Sequence, residues 1–230
     1  MPKLFYKLNL RRYFSISISL GISIIGFSLV GHLITPGRII AWSFAGGCFG
    51  IALGHYFLFK RSLIEKKSLI SSFVSNQIVF GIISFIAVFN LHNPLILILC
   101  FLITTTANSA LIIYFEKYNK VPAHKQFVIF GLILIAPITY FLIASLLKFQ
   151  LHYPLLFVPI DRLLSQSNGQ LIFNEITPFL FAGGIVLAFS LNGYSVLKSG
   201  ARKFTVNLAL LSASGLLGLI LLGYLFLENI

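Results

Sequence analysis

The chain has 230 residues, of which 58% are hydrophobic and 10% charged, at a mean hydropathy of +0.97. An ordinary soluble domain carries about 25% charged residues, so a soluble fold of this size would lack the charge to solvate its surface. The formal net charge of +12 points towards nucleic acid only if the basic residues form one face, and their placement argues against that.

Charges punctuate apolar stretches of about 20 residues, the length that crosses a ~30 Å hydrocarbon core at about 1.5 Å per residue. Seven such spans are expected, at 14–34, 39–59, 69–89, 94–115, 126–147, 179–197 and 204–226. The fold class is therefore an all-α integral membrane bundle. It forms a single polytopic domain over 1–230, because no polar segment is long enough to hold its own core.

The first span opens with "RRYFSISISLGISIIG", in which small residues alternate with Ile and Leu from Ser15 to Ser23. That period of two is a strand signature, but a lone strand could not satisfy its backbone in lipid. At about 100° per residue the same letters sort differently. Ile18, Ile22, Ile25 and Leu29 make a large-residue stripe suited to lipid. Ser15, Ser19, Ser23 and Gly26 form one small-residue seam, and Ser17, Gly21, Ser28 and Gly31 a second. Two seams predict a helix with neighbours on two sides. The run ends in "GHLITPGR" rather than a small-residue cleavage site, so it reads as a mature helix and not a signal peptide.

The second span carries Gly46, Gly50 and Gly54 four residues apart, with Ser43 on the same face. Such a face lets another helix backbone come close, either within the bundle or from another protein. Its "FAGGCFGIAL" resembles "FAGGIVLAFS" of the sixth span, a faint internal echo. Between the fifth and sixth spans, Lys148 to Pro178 is long and still apolar. Pro154, Pro159 and the Asp161–Arg162 pair argue against another crossing there. Residues 159–166 read as a short amphipathic helix lying in the outer interface, a lid, cap or docking surface, and Asn168-Gly169 as a turn.

Orientation follows from Lys and Arg. The N-terminus and the second, fourth and sixth connections hold 14 of the 17, and the other side holds only Arg38, Lys148 and Arg162. The positive-inside rule places the N-terminus in the cytoplasm and the C-terminus outside. The clean pattern without an organellar presequence suits a bacterial inner membrane. The net charge is then a topology signal with attraction to anionic headgroups, and no nucleic-acid partner is expected.

Chemistry-bearing residues are few. The five acids, Glu65, Glu116, Asp161, Glu175 and Glu228, all fall in connections or at span ends. Ionisable residues mid-membrane mark proton and ion pathways, so a pump or voltage sensor is not expected. Cys48 and Cys100 lie in apolar runs without metal-ligand spacing. His32, His92 and His152, all on the outer side, are the weak candidates for a metal, and their spacing does not require one, so no metal or cofactor is assigned. The serine of "SASGLLG", Ser214, has no histidine after it in the last span to act as base. No catalytic residue is assigned.

What remains is a set of amides. Counted from the inner boundary at about 1.5 Å per residue, His55 and Asn192 lie roughly 8–9 Å deep, Asn76 and Gln77 about 14–15 Å, Asn108 about 12 Å and Asn207 about 6 Å. Thr105 continues the polar character of the fourth span. A bare amide in hydrocarbon is costly, so these groups should face inwards, either as interhelical glue or as the wall of a cytoplasm-facing polar cavity.

The expected function is a non-catalytic multi-pass component, such as a scaffold, assembly partner or small subunit of a membrane complex, with lipid and a membrane-protein partner or second copy as its contacts. The alternatives are a transporter or channel for a small neutral or anionic solute, and a membrane sensor or lipid-acting enzyme.

Overall fold

A computed structural model describes residues 2–118, 123–198, 213 and 215–217. The expected seventh span, Asn207 and Ser214 lie outside the described residues. Every regular element among the described residues is helical. Six stretches are long and apolar enough to cross a membrane: Leu10–Ile34, Pro36–Lys60, Lys66–Phe89, Pro94–Tyr118, Gln126–Phe149 and Ser167–Leu197. The chain divides into two compact units, Met1–Lys120 and Val121–Ile230.

The first unit holds α1 (Pro2–Ile34), a 3-10 turn (Pro36–Arg38), α2 (Ile39–Lys60), α3 (Lys66–Phe89) and α4 (Pro94–Tyr118). Asn93 caps α4, its Oδ1 accepting from the amides of Leu95 and Ile96. The helices form an antiparallel ring, α1 against α2 and α4, and α3 against α2 and α4. The expected stripe of α1 is the exposed one: Ile18, Ile22, Ile25 and Leu29 are 55–66% accessible. Helix α2 lies on the Ser19–Ser23 side, and Gly21 looks towards Phe101 of α4.

The glycine face of α2 is covered by α1. A Cβ on Gly46 would sit 2.5 Å from Ser23 O, and one on Gly50 2.7 Å from Leu20 Cα, whereas one on Gly54 would stand at an ordinary 3.4 Å from Ile16 Cα. The glycines let the two backbones approach where any side chain would hold them apart. Ser43 completes the seam, its hydroxyl 2.6 Å from that of Ser28, and Trp42 Nε1 donates to Thr35 Oγ1 at 2.7 Å across the α1–α2 corner. The outcome differs in detail from the two-seam expectation. Ser28 and Gly31 meet Ser43 and Trp42 of α2 rather than α4, and Gly26 faces open space. The α1–α2 contact therefore shifts around α1 along its length, as it must when two helices cross at an angle.

The second unit holds α5 (Ala123–Phe149), α6 (Val158–Leu164), α7 (Ser167–Leu171), a π-helical turn (Ile172–Ile176) and α8 (Thr177–Lys198). Helix α8 runs antiparallel to α5: Tyr194 stacks edge-on to Phe127, and Phe181 lies beside Phe141. A short helix does interrupt the long connection, as its sequence suggested. It is tied to the end of α5 by Lys148 Nζ–Asp161 at 2.8 Å and by Tyr140 Oη donating to Leu156 O at 2.6 Å.

Two expectations fail here. Asn168-Gly169 is helical, not a turn. Gly169 is there because a Cβ would collide with Leu163 O, a demand for space that sequence cannot tell from a demand for unusual backbone angles. Nor does the last described span begin at 179. Helix continues from Ser167 through Pro178, which has no N–H to give to a carbonyl one turn back, and the π-turn absorbs the mismatch. Thr177 Oγ1 donates to Ile172 O within it at 3.3 Å.

Candidate functional site

The first unit is built around a polar layer. Helix α2 contributes His55, α3 contributes Ser72 and Asn76, and α4 contributes Thr105, Asn108 and Ser109, all of them buried. His55 Nδ1 is 2.9 Å from Ile51 O, and a carbonyl can only accept, so Nδ1 carries a proton. Nε2 is then an acceptor whose one lone pair is shared by Asn76 Nδ2 at 3.1 Å and the Ser72 hydroxyl at 2.9 Å. The same Asn76 amide reaches Asn108 O at 3.4 Å. Turning that amide over would place its oxygen against another oxygen, so the network itself fixes its orientation. One amide group thus links α2, α3 and α4. Gln77 adds a second tie from α3 to α2, donating to Cys48 O at 2.8 Å, and Thr105 Oγ1 lies 3.4 Å from Tyr13 Oη of α1.

Some atoms in this layer have no protein partner. Asn76 Oδ1, both side-chain polar atoms of Asn108, Ser109 Oγ and Gln77 Oε1 are buried without a hydrogen bond. In the second unit the Asn192 amide is likewise buried and unpartnered, pressed against α5, where a Cβ on Gly131 would stand 2.9 Å from Nδ2. The structure therefore groups His55, Asn76, Thr105 and Asn108 in one interior with Gln77 at its side, and places Asn192 in the other unit.

Towards the basic end of the helices the layer is followed by an apolar cluster of Ile16, Leu58, Ile64 and Ile112, each at most 3% accessible. Beyond it stands a buried ion pair, whose arginine in the sequence alone carries only a topology signal. Arg12 is 8% accessible and bridges Glu116 at 2.5 Å, while also donating to Leu63 O at 2.5 Å. It locks α1, α4 and the turn after α2 at one point. The signal was present: Arg12 and Glu116 both stand at the charged ends of their apolar spans. Ser72 and Tyr13 were missed because a lone serine or tyrosine at a span end gives no pattern.

Among the described residues, no three His, Cys, Asp or Glu side chains gather as metal ligands would. His32 and His92 belong to the first unit and His152 to the second.

Fold and interior together define a multi-pass, all-α membrane protein. No protein-family model, curated protein or solved structure matches the chain.

Proposed function

We propose that this chain is a non-catalytic, multi-pass component of a membrane assembly. The observation that carries the reading is how the polar groups of the first unit are used. His55, Ser72, Asn76 and Gln77 each hold a hydrogen bond to a neighbouring helix, and an apolar cluster closes the layer on the basic side. That is the construction of a rigid framework, in which each interhelical bond contributes roughly 0.6 kcal/mol. The glycine face, one expected docking surface, is occupied by α1, which leaves the apolar lipid-side faces and the exposed Leu151, Tyr153 and Leu155 before α6 as contact surfaces for a membrane partner. Extraction in mild detergent from the native membrane should bring down a stoichiometric companion. A lone chain that conducts solute into liposomes would overturn the reading.

A second reading, passage of a small neutral or anionic solute, has one observation in its favour: the unpartnered amide of Asn108 and the unpartnered Oδ1 of Asn76 leave bonding positions for a solute or for water.

The proposed orientation has the basic connections in the cytoplasm of a bacterial inner membrane. With Cys48 and Cys100 replaced by Ala, a membrane-impermeant maleimide should label His92→Cys in intact cells and Lys66→Cys only after lysis. The reverse pattern would invert the topology.

A further inference from the structure

A groove of about 890 Å³ opens on the surface of the first unit, between residues 10–19 of α1 and the end of α2 with the turn after it. Arg11 and Arg61 line it together with Phe14, Ile18, Phe57 and Leu63. The neighbouring arginines on α1 have opposite fates. Arg12 is buried against Glu116, whereas Arg11 is exposed, and neither it nor Arg61 meets an acidic side chain among the described residues. The backbone at Arg61 is held by its turn, its N–H bonding to Phe57 O at 3.0 Å. Leu63 N bonds to Leu58 O at 2.8 Å, Ser62 adopts φ 54, and Arg12 clasps Leu63 O. Arg11 lies at the end of the apolar stretch Leu10–Ile34, at the level where hydrocarbon meets headgroups. From Arg11 to Ile18 the groove wall descends about 10 Å into the apolar zone.

We propose that this groove binds an anionic glycerophospholipid. The two guanidiniums hold the phosphodiester, which they can meet with paired N–H donors, and repel a headgroup that carries its own ammonium, while one acyl chain lies along Phe14, Ile18 and Phe57. Two cations that meet no carboxylate among the described residues, above an apolar trough, match a phosphate joined to a hydrocarbon chain. They match free phosphate only in part, because the trough would stay empty. Basic pockets between transmembrane helices are a recognised form of headgroup site. This inference does not depend on the assembly reading, since a transporter could hold the same lipid.

The full chain, purified in neutral detergent, would be exposed to dioleoyl-phosphatidylglycerol, dioleoyl-phosphatidylcholine or inorganic phosphate and the bound species counted by native mass spectrometry. The wild type should retain the anionic lipid about tenfold over the zwitterionic one. Arg11→Gln with Arg61→Gln should abolish that preference, and Ile18→Trp, which fills the trough at a lipid-facing position, should weaken retention of the anionic lipid with the charges intact. Equal retention of the two lipids by the wild type would overturn the proposal. So would a double variant that keeps the preference, an Ile18→Trp chain that binds as before, or displacement of the lipid by phosphate at matched concentration. If the double variant fails to fold, Ile18→Trp and the phosphate competition decide the matter.

Discussion

Gly46→Ala and Gly50→Ala should each destabilise the protein by about 2 kcal/mol, the scale of overpacking a well-filled interior, while Gly54→Ala and Gly26→Ala stay within about 0.5 kcal/mol of wild type. The series follows from distances along one seam. A Cβ at Gly46 or Gly50 would lie 2.5–2.7 Å from the α1 backbone at Ser23 O, Leu20 Cα and Ser19 O. Backbone atoms of a helix cannot rotate away as a side-chain end can, so α1 and α2 must separate. Separation weakens the dispersion contacts of the whole seam, together with the Ser28–Ser43 contact at its end. At Gly54 the nearest atom is 3.4 Å away, and at Gly26 nothing lies within 4 Å. Reversible unfolding in mixed micelles would measure the four variants. Equal effects at all four positions would show that helix propensity, and not the close approach, governs the response.

Asn76→Leu and Asn108→Leu should differ in sign although both asparagines are fully buried amides. Asn76 donates to His55 Nε2 at 3.1 Å and towards Asn108 O at 3.4 Å. Its loss removes the link between α2, α3 and α4 and should destabilise by about 1–2 kcal/mol. The Asn108 side chain has no partner, and its backbone carbonyl, which accepts from Asn76, survives the substitution. Leu has the same branching as Asn, and removing an unpaired buried amide should leave stability unchanged or raise it by about 1 kcal/mol. Chemical unfolding in detergent, beside a liposome flux assay, separates the two functional readings. A stable Asn108→Leu chain that loses a measurable solute flux would favour passage. A destabilised one would mean that a buried water or solute normally satisfies the amide.

The polar layer also explains which parts of the site could be read in advance. Asn76, Asn108 and His55 stand out in a sequence because strong hydrogen-bonding groups inside apolar runs are costly unless they face inwards. Depth along a helix is a count of residues, and the count placed these three in the same half of the membrane, within about 7 Å of one another. The count contains no azimuth between helices, so it could not say which groups would meet. Asn192 has a comparable depth and yet belongs to the second unit, packed against Gly131. Arg12 and Glu116 were legible as charges at span ends but not as a buried pair.

By itself the sequence determined the six described apolar spans and the exposed large-residue stripe of α1, because the lipid environment leaves a chain with 58% hydrophobic residues few ways to satisfy its backbone. Periodicity then sorted large residues from small. Tertiary structure alone decided what the small residues touch. It set Gly46 and Gly50 against α1, carried the last described helix through Pro178 by a π-turn, and gave Gly169 its place beside a carbonyl. These outcomes depend on the distance and crossing angle between two helices. Residues of both helices fix these jointly, so no one span can reveal them when read alone.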